Sequence, residues 1–248
     1  MTIKAHAKIN TFLKITGHKN GYHTLISRFV KVPHLYDTIY FVPQECQNFT
    51  IEGCGDVPLE ENTIYKSFLA MNQDNKFFKH HKIVVEKKIP SGAGLGGGSS
   101  DAGAFMRLFN QVCNLGIDTP TLAKMGSTVG ADIPFFVYDY DVANVSGFGE
   151  IVEPFEEDPF EIELYMPNLH CDTPLVYKTF KKNLLDLIKP TTFKEWVNLS
   201  SKEVLNRADA IMANDLYNAS LIAYPQLKQV AKEGWYFSGS GSTFFKIQ

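Results

Sequence analysis

No apolar run in these 248 residues comes near the ~20 needed to span a bilayer. The opening stretch, MTIKAHAKIN, also lacks the apolar core of roughly 7–15 residues that marks a secretory signal. These absences point to the cytosol and to no membrane partner. Cysteine is scarce: Cys46, Cys54, Cys113 and Cys171 form no C-x-x-C pair, and no histidine pair stands at zinc-finger spacing. Reduced, structural thiols are expected. Basic charge is not in excess, since 24 Lys and Arg meet 27 Asp and Glu for a formal charge of −3. A nucleic-acid binder should carry a basic face, so no nucleic-acid partner is expected, although a small local phosphate site remains compatible. There is no internal repeat and no low-complexity tract. With 44% hydrophobic and 21% charged residues, the composition excludes disordered, collagen-like and coiled-coil classes.

What is present is a mixture of periods. Residues 3–15, 25–32, 38–42 and 49–51 read as strands separated by Gly, Pro and Asn. Ile64, Phe68 and Met71 then fall at helical spacing after Asn62, a candidate N-cap. Residues 82–89 read as a strand ending at Pro90. Phe105, Leu108, Phe109 and Val112 mark a helix that Asn114 and Gly116 can end. Thr119 and Pro120 open the next. Short strands follow at 142–146, 150–153 and 162–166. A helix begins at Asp172, another spans Val204 to Met212, and residues 234–247 close as strand, glycine turn, strand. Strands and helices without strict alternation predict an α+β fold. The acidic, proline-flanked residues 154–159 are the expected linker between domains 1–153 and 154–248.

The informative stretch is Pro90-Ser91-Gly92-Ala93-Gly94-Leu95-Gly96-Gly97-Gly98-Ser99-Ser100-Asp101. It joins a strand to a helix. Glycines let backbone approach a ligand closely and take positive φ. The helix start adds free N–H groups and a positive dipole end. Together these suit phosphate. No Lys follows the glycines, which excludes a Walker A loop. G-x-G-x-x-G is satisfied literally, but the second strand with an acidic end about 20 residues on is missing. The strings H-R-D and D-F-G of protein kinases do not occur.

The fuller string P-x-x-A-G-L-G-G-G-S-S-D resembles the phosphate loop of the GHMP superfamily, the kinases for galactose, homoserine, mevalonate and phosphomevalonate. Ala7-Lys8-Ile9-Asn10, Gly21-Tyr22-His23, Gly130-Ala131-Asp132-Ile133-Pro134 and Ser238-Gly239-Ser240-Gly241 extend the likeness from residue 5 to residue 245. In this order they resemble the branch whose acceptor alcohol carries a cytidine diphosphate, in the non-mevalonate route to isoprenoid precursors. Gly21-Tyr22-His23 is the discriminating motif. Gly103 departs from the pattern, which has Ala there.

The resemblance implies an ATP-dependent kinase with a two-domain GHMP-kinase-like fold: mixed sheets with helices, and an active site in the interdomain cleft. Residues 1–153 would be the ATP-binding domain and 154–248 the substrate-binding domain. Pro90, Ser91, Gly92, Ala93, Gly94, Leu95, Gly96, Gly97, Gly98, Ser99 and Ser100, with Gly239, Ser240 and Gly241, would hold ATP. The hydroxyls of Ser99 and Ser100 would reach phosphate oxygens or Mg²⁺. Asp132 is the expected general base, because a carboxylate can accept a hydrogen bond from the hydroxyl, orient it and take its proton. A turn-capping role is the alternative. Lys8 is its expected cationic partner, and Asn10, on the same strand face, would hold the acceptor. Tyr22 and Tyr177 (in Pro174-Leu175-Val176-Tyr177) would stack on the cytosine, with His23 reading its edge; core packing is the alternative for Tyr177. His6, His18, His34, His80, His81 and His170 are read as surface or satisfied residues. Another small-alcohol kinase, and a non-catalytic RNA-binding or nucleotide-sensing module of the same fold, stay open.

Overall fold

The early sequence is dominated by two long strands, β1 (Thr2–Lys19) and β2 (Tyr22–Pro43). The remaining strands are short: β3 (Ile51–Glu52), β4 (His81–Glu86), β5 (Val142–Gly147), β6 (Ile151–Pro154), β7 (Ile162–Tyr165), β8 (Tyr236–Phe237) and β9 (Phe244–Ile247). The computed structural model describes residues 1–19, 21–71, 76–187 and 193–248. These divide into two compact units. Unit 1 takes Met1–Ala7, Val32–Pro90 and Gly96–Tyr140, and unit 2 takes Lys8–Lys31, Ser91–Leu95 and Asp141–Gln248. The units alternate along the chain, so neither coincides with 1–153 or 154–248. Residues 8–31 and 91–95 pack with the later half of the chain, and composition does not record that.

In unit 1, Thr38–Pro43 of β2 pairs antiparallel with β4 at the register Thr38 to Glu86, and β3 joins β4 in parallel. Among the described residues, the helices of this unit are α1 (Thr63–Met71), α2 (Lys76–Lys79), α3 (Gly97–Val112), α4 (Thr119–Ser127) and α5 (Ile133–Tyr138). Their apolar faces meet in a phenylalanine-rich core in which Phe49, Phe68, Phe78, Phe105 and Phe109 interlock. Each fully buried Phe is worth roughly 1.5–3 kcal/mol of transfer free energy. Asn62 does cap α1, its Oδ1 accepting from Ile64 N–H at 2.9 Å. The cap of α4 is Asp118 rather than Thr119, because Asp118 accepts the N–H of Thr121. Gly103 lies in α3 against α5. A Cβ there would stand 2.6 Å from Phe136 Cβ, which explains the departure from alanine.

In unit 2, Leu25–Val30 of β2 pairs antiparallel with β5, and β5 with β6. A second sheet runs β7-β9-β8. The helices are α6 (Thr173–Asn183), α7 (Ser201–Arg207), α8 (Ala210–Ala213), α9 (Asp215–Ala223) and α10 (Leu227–Val230). Phe237, Phe244 and Tyr217 form the centre of its smaller core. The helix expected from Val204 to Met212 is two helices. Asp209 accepts the N–H of Met212 and starts α8 afresh, while Ala208 is extended. The expected break near Pro33 does not occur. Neither β4 nor β5 pairs with residues 32–37 of β2, so the proline costs no bond to those partners.

Candidate active site

The phosphate loop alternates two kinds of residue. Gly92, Gly94 and Gly96 have φ of 64°, 72° and 72°, the left-handed region that glycine tolerates best. Between them Ala93 and Leu95 are buried. In unit 2 the buried pair is held by its carbonyls: Leu95 O accepts the N–H of Lys8 at 3.0 Å, and Ala93 O that of Thr243 at 3.1 Å. Gly94 O accepts from Ser238 Oγ at 2.9 Å. A Cβ on Gly94 would collide with Ser238 O and lie 2.9 Å from Gly241 N. The Ser238-Gly239-Ser240-Gly241 turn therefore packs directly on the loop. Its buried Ser240 is tied to Thr173 and Ser220, and Asn214 donates to the carbonyls of Phe237 and Gly239 at 2.9 and 2.8 Å. The turn's visible work is to brace the loop. His170, read from sequence as a surface or satisfied residue, is exposed and lies against Gly92, with Nδ1 3.3 Å from Ser91 O.

Lys8 and Asn10 belong to the same unit. Alternation along β1 puts them on one face, and Lys8 Nζ donates to Asn10 Oδ1 at 2.6 Å. The Asn10 amide passes the bond on to Ser27 Oγ at 2.9 Å. The ammonium also lies 4.5 Å from the centre of the Phe29 ring. Lys8 is only 4% exposed. This is no solvated surface lysine, and Asn10 helps to orient it.

In unit 1 the helix α3 opens at Gly96, without a side-chain cap. Ser100 N–H donates to Gly96 O at 2.8 Å, the first bond of the helix ladder, so the N–H groups of Gly97, Gly98 and Ser99 precede it. The two serines differ. Ser100 is buried and gives its hydroxyl to His6 O at 2.7 Å, so it is structural, which corrects the expectation that it reaches phosphate. Ser99 Oγ lies 3.8 Å from where a Cβ on Gly130 would stand, beside the turn that carries Asp132. Asp132 immediately precedes α5, yet its carboxylate makes no capping hydrogen bond to that helix.

Beneath this opening lies a cluster that motif reading missed. Lys87 Nζ donates to Asp37 Oδ2 at 2.5 Å and to Asp101 Oδ2 at 2.6 Å. Asp37 Oδ1 accepts the N–H groups of Lys88 and Ile89 at 2.5 and 2.8 Å. Burial pushes the Asp101 carboxyl up to about 7, against the pull of Lys87 and with the help of Asp37. Asp101 was in the quoted motif, but nothing in the sequence pairs it with Lys87, 14 residues away.

The aromatic candidates separate. His23 on β2 meets Tyr177 on α6 with ring centres 5.3 Å apart, and meets Phe180 and His18 edge-on. Its Nε2 is buried, with no hydrogen-bond partner among the described residues. Burial, then His18 and Lys181, lower the His23 pKa, which favours the neutral ring. Tyr22, next on the strand, leaves by the opposite face. Its ring meets Phe148 and is 69% exposed. The structure brings His23 and Tyr177 together, while the ring contact of Tyr22 is to Phe148.

A strand-loop-helix phosphate cradle with a carboxylate turn beside it defines a class of small-molecule kinase. Residues 62–140 match the family model described as GHMP kinases N terminal domain. The 4-diphosphocytidyl-2-C-methyl-D-erythritol kinase of Sulfurovum sp. (strain NBC37-1) is 56% identical, covering 100% of this chain and 99% of its own. That of Sulfurimonas denitrificans is 42% identical over 99% of this chain and 96% of its own. A crystal structure of 4-(cytidine 5'-diphospho)-2C-methyl-D-erythritol kinase superposes with a TM-score of 0.75 at 29% identity, covering 99% of this chain and 89% of that one. The chain belongs to the 4-diphosphocytidyl-2-C-methyl-D-erythritol kinase family, within the GHMP kinases.

Proposed function

We propose that the chain transfers the γ-phosphoryl group of ATP to the 2-hydroxyl of 4-diphosphocytidyl-2-C-methyl-D-erythritol, a step towards isoprenoid precursors by the non-mevalonate route. One observation carries the reading: the opening turn of α3 and the Asp132 turn lie together, with Ser99 beside Gly130. A phosphate held on the helix N–H groups would have a carboxylate at hand. The acceptor hydroxyl oxygen attacks the γ-phosphorus, the bond to the β–γ bridging oxygen breaks, and ADP leaves. Asp132 orients the hydroxyl and takes its proton. Lys8, held by Asn10, supplies positive charge to the transferring group.

The N–H groups that open α3 in unit 1 take the donor's phosphates in this reading, and within unit 2 the 239–241 turn packs on Gly94. The orphaned Nε2 of His23 supports the cytidine reading, because a base edge would satisfy it. Tyr177 offers the stacking face. Tyr22 then contributes from outside this pair. Mg²⁺ is assigned to the donor's phosphates. It keeps most of its ligands from water and phosphate, and among the described residues no group of three or more His, Cys, Asp and Glu could hold a metal by itself. We place the reaction in the cytoplasm. The four cysteines stand as free thiols, as in a reducing compartment, and no helix among the described residues is long and apolar enough to cross a membrane.

Mass spectrometry after incubation with Mg-ATP and 4-diphosphocytidyl-2-C-methyl-D-erythritol should detect the acceptor gaining one phosphoryl group. Phosphorylation of a different alcohol, with none of this one, would overturn the assignment.

A further inference from the structure

Lys87, Asp37 and Asp101 do not belong to the glycine string's visible logic, yet they hold the chain on either side of it. Asp37 lies on β2 and is fully buried. Through Oδ1 it pins the N–H groups of Lys88 and Ile89, just before the loop. Through Oδ2 it takes the ammonium of Lys87. The same ammonium reaches Asp101, in the second turn of α3 and just after the loop. The two flanks touch as well: a Cβ on Gly97 would stand 3.0 Å from Ile89 Cγ2 and 3.6 Å from Lys87 Nζ. One cation is thus shared by two buried carboxylates, one fixed to the entering strand and one to the leaving helix.

We propose that Lys87 and Asp101 are positioning residues for ATP, forming a clasp that sets the mouth of the glycine loop. The proposal rests on the kinase reading above. A loop with this many glycines has large conformational freedom, and its N–H groups bind phosphate well only when already aimed. Residues 93–95 are held through their carbonyls, and the flanks hold the chain at the two ends of the loop. Two buried carboxylates around one ammonium are a costly arrangement for stability alone. Hydrogen bonding, rather than charge, is what the clasp needs from Asp101, and an amide oxygen at that position can still accept from Lys87.

Asp101→Ala should raise the KM for ATP about tenfold, a loss of ~1.4 kcal/mol in donor binding. Its kcat and its KM for the acceptor should stay within about twofold. Asp101→Asn should restore the ATP KM to within about threefold of wild type. A purely structural role would instead weaken both substrates together. An unchanged ATP KM in Asp101→Ala, or an Asp101→Asn variant as impaired as Asp101→Ala, overturns the clasp. Amide hydrogen exchange on the ligand-free chain reads the same point without turnover. In Lys87→Met, exchange over residues 91–98 should quicken about tenfold while α9 is unchanged. Loop exchange that is unaltered, or faster everywhere alike, contradicts the proposal. Wild-type protein that turns over no ATP would sink the kinase reading, and the exchange result would still judge the clasp.

Discussion

The glycine loop and the His23–Tyr177 pair are built on different principles. The loop is fixed through main-chain carbonyls, close backbone approach and buried polar bonds at its flanks. The groups proposed for the donor are backbone N–H, which any phosphate can use. The aromatic pair is half-buried, made of side chains from a strand and a helix far apart in sequence, and keeps one ring nitrogen without a hydrogen-bond partner among the described residues. Rigid backbone suits a donor common to many kinases. Adaptable side chains around one unsatisfied atom suit a base that must be told from others.

The sharpest way to break this contrast is at the chemistry both regions serve. Asp132→Asn should lower kcat by ~10²–10⁴-fold with ATP binding nearly intact, as loss of a general base requires. Rapid-quench measurement that finds more than half the wild-type rate, with chemistry rate-limiting, would remove Asp132 from that role. Next comes Gly94→Ala. The added Cβ meets Ser238 O, and φ of 72° costs a non-glycine residue about 1–2 kcal/mol. The KM for ATP should rise by about tenfold or more, with a lower Tm. Wild-type ATP kinetics in this variant would show that the loop is not held as described.

Asp101 offers a smaller, pH-dependent effect. Its folded pKa, about 7, lies above the unfolded value, so the folded state binds the proton more tightly. Its contribution to stability is complete below the ordinary carboxylate range and is lost as pH rises to about 7. Tm measured at about pH 5 and about pH 8 should fall more in wild type than in Asp101→Asn. Parallel slopes would contradict the shift. Smallest of all, Tyr22→Ala should change the acceptor KM by less than about threefold, since an exposed ring away from the His23–Tyr177 pair carries little. A tenfold effect would return Tyr22 to the base.

The same contrast governs what could be read from the chain alone. Gly92, Gly94 and Gly96 are legible because positive φ leaves a residue-type signature. The order of Lys8, Tyr22, His23, Asp132 and the terminal glycine turn is legible as motif. Which residues meet is another matter. That Ser100 turns inward to His6 O, that Tyr22 parts from His23, and that Lys87 finds Asp101 depend on packing no spacing rule encodes. Helix α5 escaped notice because Ile133, Pro134, Phe135, Phe136 and Val137 are all buried, leaving no apolar stripe to count. Helix α9 hid for a different reason: its buried positions include Ser220 while the apolar Ile222 is exposed, so apolar residues do not mark its buried face. The alternating units were invisible because a strand as long as β2 changes partner partway along, from β5 to β4, without any change in composition.

The division of labour between backbone loop and aromatic pair is tested most directly by titration calorimetry on Tyr177→Ala. Cytidine diphosphate and a non-hydrolysable ATP analogue would each be titrated into wild type and variant. The account predicts about tenfold weaker cytidine diphosphate binding, since one stacking face is worth ~1–3 kcal/mol, with the ATP analogue unaffected. Equal weakening of both ligands would contradict it, for Tyr177 would then be a packing residue whose loss loosens the protein as a whole.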